Sequence, residues 1–155
     1  HDSTARLINR GHDFAEFVRG FETARNAGLR ICVHIINGLP GETPEMMEQT
    51  AEILGGMRPD GVKIHLLHVI KNTTLAGLWE SGKYQPMERD DYIGTVVRQL
   101  EYLPPETVIE RLTGDGGRDS LLAPLWSLDK RAVLGGIMKR QKQLDSIQGL
   151  RFQEG

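Results

Sequence analysis

The chain has 155 residues, 39% hydrophobic and 26% charged, the balance of an ordinary globular domain long enough to bury one core. A formal net charge of −2 removes any global pull toward nucleic acid or anionic membrane, and no apolar run approaches the roughly 20 residues that span a bilayer. The opening HDSTARLINRGHD has neither an initiator Met nor the apolar stretch of a secretory signal, so the expectation is an excised chain whose compartment is the cytoplasm.

Asn9-Arg10-Gly11-His12-Asp13 comes first, just ahead of a helix. At the rim of a βα fold, an Arg is suited to a bidentate pair with a carboxylate. A helix start capped by Asp13 or Asn9, with Arg10 in water, accounts for the same residues equally well. From Asp13 to Ala27 the residues Phe14, Phe17, Val18, Phe21 and Ala24 form the stripe of an amphipathic helix, and Gly28 stands where a C-cap glycine belongs. LRICVHII then reads as a buried strand, with Cys32, His34 and Ile36 sharing a face. Cys32 is the one cysteine of the chain and reads as a small buried hydrophobe. A single thiol can neither close an internal disulfide nor hold a cluster that needs several thiolates.

Asn37-Gly38-Leu39-Pro40-Gly41-Glu42-Thr43 is a strand-to-helix turn, with Thr43 as N-cap and Pro44 as first helical residue. Ligands of α/β sheets collect at such strand ends, although a tight turn without a ligand explains the glycines as well. A helix is predicted to about Leu54, carrying Met47, Ala51 and Leu54 on one face, and GGMRPDG reads as a turn. In the next strand, VKIHLLHVI, alternation puts Lys63, His65 and Leu67 on one side and Ile64, Leu66 and His68 on the other. The Lys63/His65 side suits a polar interior, and His34 and His65 read either as substrate-cavity residues or as hydrogen-bonded core histidines. No metal site is expected, because His65 and His68 point to opposite faces and no carboxylate spacing matches them.

A short helix at Thr74–Glu80 and a longer one from about Asp90 to Leu103 follow, the latter striped by Ile93, Val96, Val97, Leu100 and Leu103. TVIERL reads as a third strand and GDGGRD as a flexible loop. The last helix is predicted to start near Ser127 and to pack Leu134, Ile137, Met138 and Leu144. The division is therefore 1–126 for the α/β unit and 127–155 for the C-terminal helix and tail. Alternating helices and strands predict parallel strands with crossover helices. A closed eight-stranded barrel takes about 250 residues, so the residues leave open part of a barrel or a small open sheet.

In this order, INRGHD, HIINGLPGETPEMM, GVKIHLLHVIKNT and ERLTGDGGRDSLLAPLWSLDK resemble a bacterial group of radical S-adenosylmethionine (SAM) proteins related to the Elp3 and HemN-like branches. The resemblance covers nearly the whole chain and implies the C-terminal half of a partial (β/α)6 TIM-like barrel. It implies SAM and a 4Fe–4S cluster as cofactors, the cluster ligands being a CxxxCxxC motif absent from this chain. The implied activity is reductive cleavage of SAM to a 5′-deoxyadenosyl radical, with this chain inactive by itself and a flavodoxin or ferredoxin as reductant partner. By the same resemblance Arg10 lies near the SAM carboxylate, Ile36, Gly38 and Leu39 pack against adenine, and Leu67, His68 and Val69 read the adenine edge. Asn37 and Glu42 are candidates for ribose contact or for bracing the turn.

Two departures stand out against the family pattern GxIxGxxE: His34 replaces the first glycine, and Glu42 comes one residue late. The alternative from another class is a non-catalytic α/β binding or interaction module. On the substrate side, the Elp3 relationship points to a tRNA wobble uridine, with Lys130, Arg131, Lys139, Arg140 and Lys142 as phosphate contacts, against the reading of a simply solvated helix face. A half barrel leaves an open strand edge and an apolar face, so poor solubility or dimerisation is expected.

Overall fold

The computed structural model describes residues 1–114 and 116–153. It opens with α1 (Asp2–Leu7), a short helix that the apolar pattern does not predict. Four of the next five helices begin on a side-chain cap, which satisfies an amide that the helix itself cannot. Asp13 accepts the Glu16 amide at 2.8 Å and opens α2 (Phe14–Asn26). Thr43 caps α3 (Pro44–Met57), and Thr73 caps α4 (Thr74–Glu80). In α5 (Arg89–Tyr102) no side chain caps, but Asp90 and Asp91 sit in the first turn, where the helix dipole favours negative charge. Asp129 caps α6 (Lys130–Leu144) by accepting the Ala132 amide at 3.0 Å.

The strands are β1 (Cys32–Asn37), β2 (Gly61–Leu66), β3 (Val69–Ile70), β4 (Val108–Arg111) and β5 (Leu121–Ala123). One parallel sheet has the order β1-β2-β4, with α3 crossing between the first pair and α4 and α5 between the second. The expected parallel α/β architecture is therefore present, as an open sheet among the described residues. β3 and β5 form a separate antiparallel pair. The core lies between one face of the parallel sheet, carrying Val33, Ile35, Val62, Ile64 and Leu66, and the helices α3, α5 and α6.

Four local readings change. VKIHLLHVI is two strands: β1 turns away at Gly38, so β2 loses its partner after Leu66, and Val69–Ile70 pair with β5 instead. The pattern assigns GGM to a turn, yet α3 continues through it to Met57. Gly55 packs against α5 so closely that a Cβ there would lie 2.2 Å from the Tyr102 carbonyl oxygen. The last helix does not begin at Ser127; a 3-10 turn (Leu125–Leu128) precedes α6. Its packed residues are Val133 and Ile137, while Leu134 and Met138 are 39% and 70% exposed. Gly136 sets this rotation, because a Cβ there would meet Ile93 Cδ1 at 2.4 Å. On α2 only Phe21 of the predicted stripe is fully buried. Within the GDGGRD loop, Asp115 lies outside the described residues.

Candidate functional site

β1 and β2 run in register from Cys32↔Gly61 to Asn37↔Leu66, which sets their carboxyl ends side by side. The chain leaves β1 through Gly38, at φ +83, a conformation that L side chains rarely adopt. The Gly38 N–H donates to Met47 Sδ at 3.3 Å, and its carbonyl accepts the Tyr84 hydroxyl at 2.8 Å. On its open side a Cβ would come 3.1 Å from Met87 Cγ. Gly38 therefore shapes the turn, with both backbone polar groups engaged by protein.

Asn37 is 0% exposed and points away from the strand-end opening. Its side-chain amide exchanges two hydrogen bonds of 2.8 Å with Gln99, and Gln99 donates again to the Met47 carbonyl at 2.9 Å. Of the two roles read for Asn37, this geometry supports bracing.

Beside the turn, a cavity of about 380 Å³ is bordered by α1, the start of α2, β1 and α3. Arg10, His34, Ile36, Leu39 and Glu42 line it, and its size falls in the range of small-molecule sites, roughly 300–1,000 Å³. Arg10 is exposed and donates through Nε to His12 at 3.2 Å, one of its five donors. Ile36 presents an apolar side chain that is 37% exposed, rare for a strand residue next to a core. Burial pushes the half-buried Glu42 carboxyl up, offset in part by the Thr4 hydroxyl.

Gly38, Leu67, His68 and Val69 lie outside the cavity lining. The Leu67 amide donates to the Asn37 carbonyl at 2.9 Å, continuing the ladder by one bond. Val69 is 0% exposed in a second small core with Ala76, Tyr84 and Ala123, and its backbone pairs with Ala123.

The sheet face opposite the core is polar. It carries Cys32, His34 and Ile36 from β1, Lys63 and His65 from β2, and Glu110 and Arg111 from β4, so the predicted Lys63/His65 side is the one turned away from the helices. The His34 and His65 rings stack with centroids 5.3 Å apart. Lys63 Nζ pairs with Glu110 at 3.1 Å, and hydrogen bonds from Lys63 and Cys32 hold the Glu110 carboxyl below the usual range. Burial, helped by Glu110, pushes the Cys32 thiol up. Burial also lowers His65, reinforced by the charges of His34, Arg111, Lys63 and His68. Cys32 is partly exposed on this face and engaged by Glu110, so it is a member of a polar cluster and not the buried hydrophobe its apolar neighbours predict.

The expectation that His65 and His68 diverge is also corrected. A Cβ built on Gly114 would lie 3.3 Å from His65 Nδ1 and 3.2 Å from His68 Cε1, so both rings border one glycine. The strand break after Leu66 removes the alternation on which that expectation stood. Sequence reading also misses Tyr84, Met87, Gln99, Glu110 and Arg111. A β-bulge opposite Val62/Lys63 pairs Arg111 with Lys63 and adds Glu110 beside it, which no alternation signals. Tyr84 and Met87 sit in an aperiodic connection.

Among the described residues no group of three or more His, Cys, Asp or Glu could hold a metal ion. With one cysteine in the sequence, the residues of this chain do not fit a 4Fe–4S cluster, which takes several thiolates. No helix among the described residues is long and apolar enough to cross a membrane.

Comparison with known proteins agrees with this architecture. Residues 59–143 match the Radical_SAM C-terminal domain and residues 1–54 the Radical SAM superfamily. YtqA of Bacillus subtilis is 45% identical over 153 residues, which is 99% of this chain and 48% of that protein. YhcC of Escherichia coli is 42% identical over 81% of this chain and 41% of its own length. Human Elongator complex protein 3 is 33% identical over 74% of this chain and 22% of its own length. The chain thus spans about half the length of YtqA. The solved archaeal Elp3 of Methanocaldococcus infernus, with an N-terminal deletion, superposes with a TM-score of 0.85 at 20% identity, over 96% of this chain and 35% of that one, a likeness of fold. Family matches along both halves and three similar relatives, set on a parallel α/β sheet, place the chain in the radical SAM superfamily, among its Elp3- and YhcC-like members.

Proposed function

We propose that this chain supplies the SAM-facing and substrate-facing half of a radical SAM enzyme. The observation that carries the reading is the pair of parallel strand ends at Asn37 and Leu66, opening beside a cavity lined by Arg10, Ile36 and Leu39. Ligands of parallel α/β folds gather at such ends. In this reading the exposed Ile36 and the partly buried Leu39 pack against adenine, and the Arg10 guanidinium pairs with the SAM carboxylate. Gly38 holds the turn under them. Leu67, His68 and Val69 belong to the neighbouring strand end, with only the Leu67 and His68 side chains partly exposed.

In the longer enzyme that this reading implies, a 4Fe–4S cluster, whose ligands this chain does not contain, would supply the reductive cleavage of SAM. What this chain's own residues do is bind, orient and exclude water. A flavodoxin- or ferredoxin-type reductant would complete the system, with the chain by itself inactive.

The test is a chimera in which this chain replaces the matching half of YtqA. After anaerobic reconstitution with iron and sulfide, the chimera forms 5′-deoxyadenosine on addition of dithionite, and the chain alone does not. Arg10→Ala weakens SAM binding about 10- to 100-fold, the value of a charge-assisted pair of about 1.5–3 kcal/mol. An inert chimera beside an active YtqA control, or unchanged affinity in Arg10→Ala, overturns the reading.

One observation favours a nucleic-acid substrate, such as a tRNA wobble uridine. Arg131, Lys139, Arg140 and Lys142 are all exposed on α6, so tRNA binding that falls steeply with salt and weakens on their replacement would support it.

A further inference from the structure

His34 stands where the family pattern has glycine, and the SAM reading gives it no task. Its side chain is exposed and borders the cavity beside the β1 turn. Among the described residues one ring lies against it, that of His65, with centroids 5.3 Å apart and 24° between the planes. That is the spacing of an offset aromatic pair, roughly 4.5–7 Å. We propose that the outer face of the His34 ring, backed by His65, is a stacking platform for a planar heteroaromatic ring. The ring belongs either to SAM, as its adenine, or to the substrate, and the experiment below separates the two sources. The inference rests on the reading above, in which SAM and substrate meet at this strand end.

The surroundings of the ring agree. β1 is an edge strand of its sheet, so no described strand stands on the side of His34 away from His65. Among the described residues no hydrogen bond engages the His34 imidazole, so what the fold positions is its flat face and not its nitrogens. Lys63, its partner across the strands, is turned to Glu110 at 3.1 Å and leaves that face uncovered by an ammonium. The rest of the cavity suits a ring as well: Phe14 and Phe17, stacked on each other at 5.9 Å, border it together with Ile36 and Leu39.

His65 is the rigid part of the pair. It is partly covered, and Gly114 packs on it so closely that a Cβ there would lie 3.3 Å from His65 Nδ1. Burial, reinforced by the charges around it, lowers its pKa, so the ring behind His34 is neutral at pH 7. A neutral backing ring gives the pair a π surface in place of two repelling charges. Stacking on an aromatic side chain is worth about 5- to 150-fold in affinity for a base, and it asks for a flat ring and not for a particular hydrogen-bond pattern.

The experiment is an NMR titration of the folded chain, labelled at the histidine rings and at the isoleucine and leucine methyls, with SAM, uridine and dihydrouridine. Uridine stands for a ring of the substrate. Dihydrouridine keeps the ribose and both carbonyls on a ring that is no longer flat. The expected result is a saturable upfield movement of the His34 ring protons. Movement by SAM alone assigns the platform to adenine, and movement by uridine assigns it to the substrate, in which case dihydrouridine binds at least about fivefold more weakly. His34 is exposed, so His34→Leu and His34→Phe both keep the fold by circular dichroism. Followed on the Ile36 methyls, His34→Leu weakens the binding probe by about fivefold or more, while His34→Phe, which restores a flat ring, stays within about threefold of the unsubstituted chain. No movement of His34 with either SAM or uridine, dihydrouridine binding as tightly as uridine, or unchanged affinity in His34→Leu overturns the proposal. The two claims fail separately. SAM that shifts Ile36 and Leu39 while no probe moves His34 removes only the platform, and uridine stacked on His34 with no response to SAM removes only the SAM reading.

Discussion

Asn37 and Gln99 form the buried polar pair that ties the end of β1 to α5, and replacing both should cost less than the two single losses added together. Gln99→Met keeps length and removes the amide that exchanges two 2.8 Å bonds with Asn37. The Asn37 side chain, 0% exposed, then has a donor and an acceptor without partners. At about 1–3 kcal/mol for each of the two orphaned groups, the loss is about 2–6 kcal/mol, a large share of a typical domain stability of about 5–15 kcal/mol. Asn37→Leu alone strands Gln99 in the same way, with its bond to the Met47 carbonyl retained. The double variant leaves neither partner stranded, so it should be more stable than the sum of the single losses by at least about 1 kcal/mol. Urea unfolding followed by circular dichroism measures all four corners of the cycle. A Gln99→Met loss below about 0.5 kcal/mol, or simple additivity in the double variant, would refute the reasoning.

Further outcomes follow from the same turn and the polar face. Gly38→Ala should lower stability by about 1–2 kcal/mol through its left-handed backbone, and Met87→Ala added to it should restore only the smaller steric part, since the 3.1 Å neighbour is a flexible side chain. Thermal melts check this, and full recovery in the double variant would put the cost on packing instead. Tyr84→Phe removes the donor to the buried Gly38 carbonyl and should cost about 1–3 kcal/mol. Burial also pushes the Tyr84 phenol up to about 12 from 10.0, so its contribution is complete below pH 10 and disappears as pH rises toward 12; Tyr92, raised by its own burial, adds to the same alkaline loss. An alkaline unfolding profile unchanged in Tyr84→Phe would contradict that assignment. His65 has the opposite sign: its value is lowered from 6.5, so the stability it contributes is present above 6.5 and is lost as pH falls through the lowered value. His65→Gln should flatten that acid slope, and an identical slope in the variant would show that other groups carry it.

Elements with strong local signals were legible from the residues alone. Thr43 followed by Pro44 marked the start of α3, and the spacing of Ile93, Val96, Val97 and Leu100 marked α5 as a packed helix. The strand ICVHII, with Cys32, His34 and Ile36 on one face, and the polar Lys63/His65 side of the next strand could be read from alternation. Features decided by long-range contact could not. Gly55 reads as part of a turn and Gly136 as an ordinary helix position, yet each lets two helices approach where a Cβ would clash. Alternation carried through VKIHLLHVI misplaces His68, because the strand stops where its partner β1 turns away. The cavity beside the turn includes Glu42 through burial near α1, a helix with no apolar signature. Tyr84 and Met87 act on Gly38 from nearly fifty residues downstream, a distance over which no sequence period operates.

The central claim is that SAM sits against the β1 end, and methyl-resolved NMR of the isoleucine- and leucine-labelled chain tests it most directly. On titration with SAM, the Ile36 and Leu39 methyls should shift saturably, while those of Ile109 and Ile137, in the core on the other face, stay in place. Saturable shifts that spare Ile36 and Leu39, or none at all in a folded chain, would contradict the account.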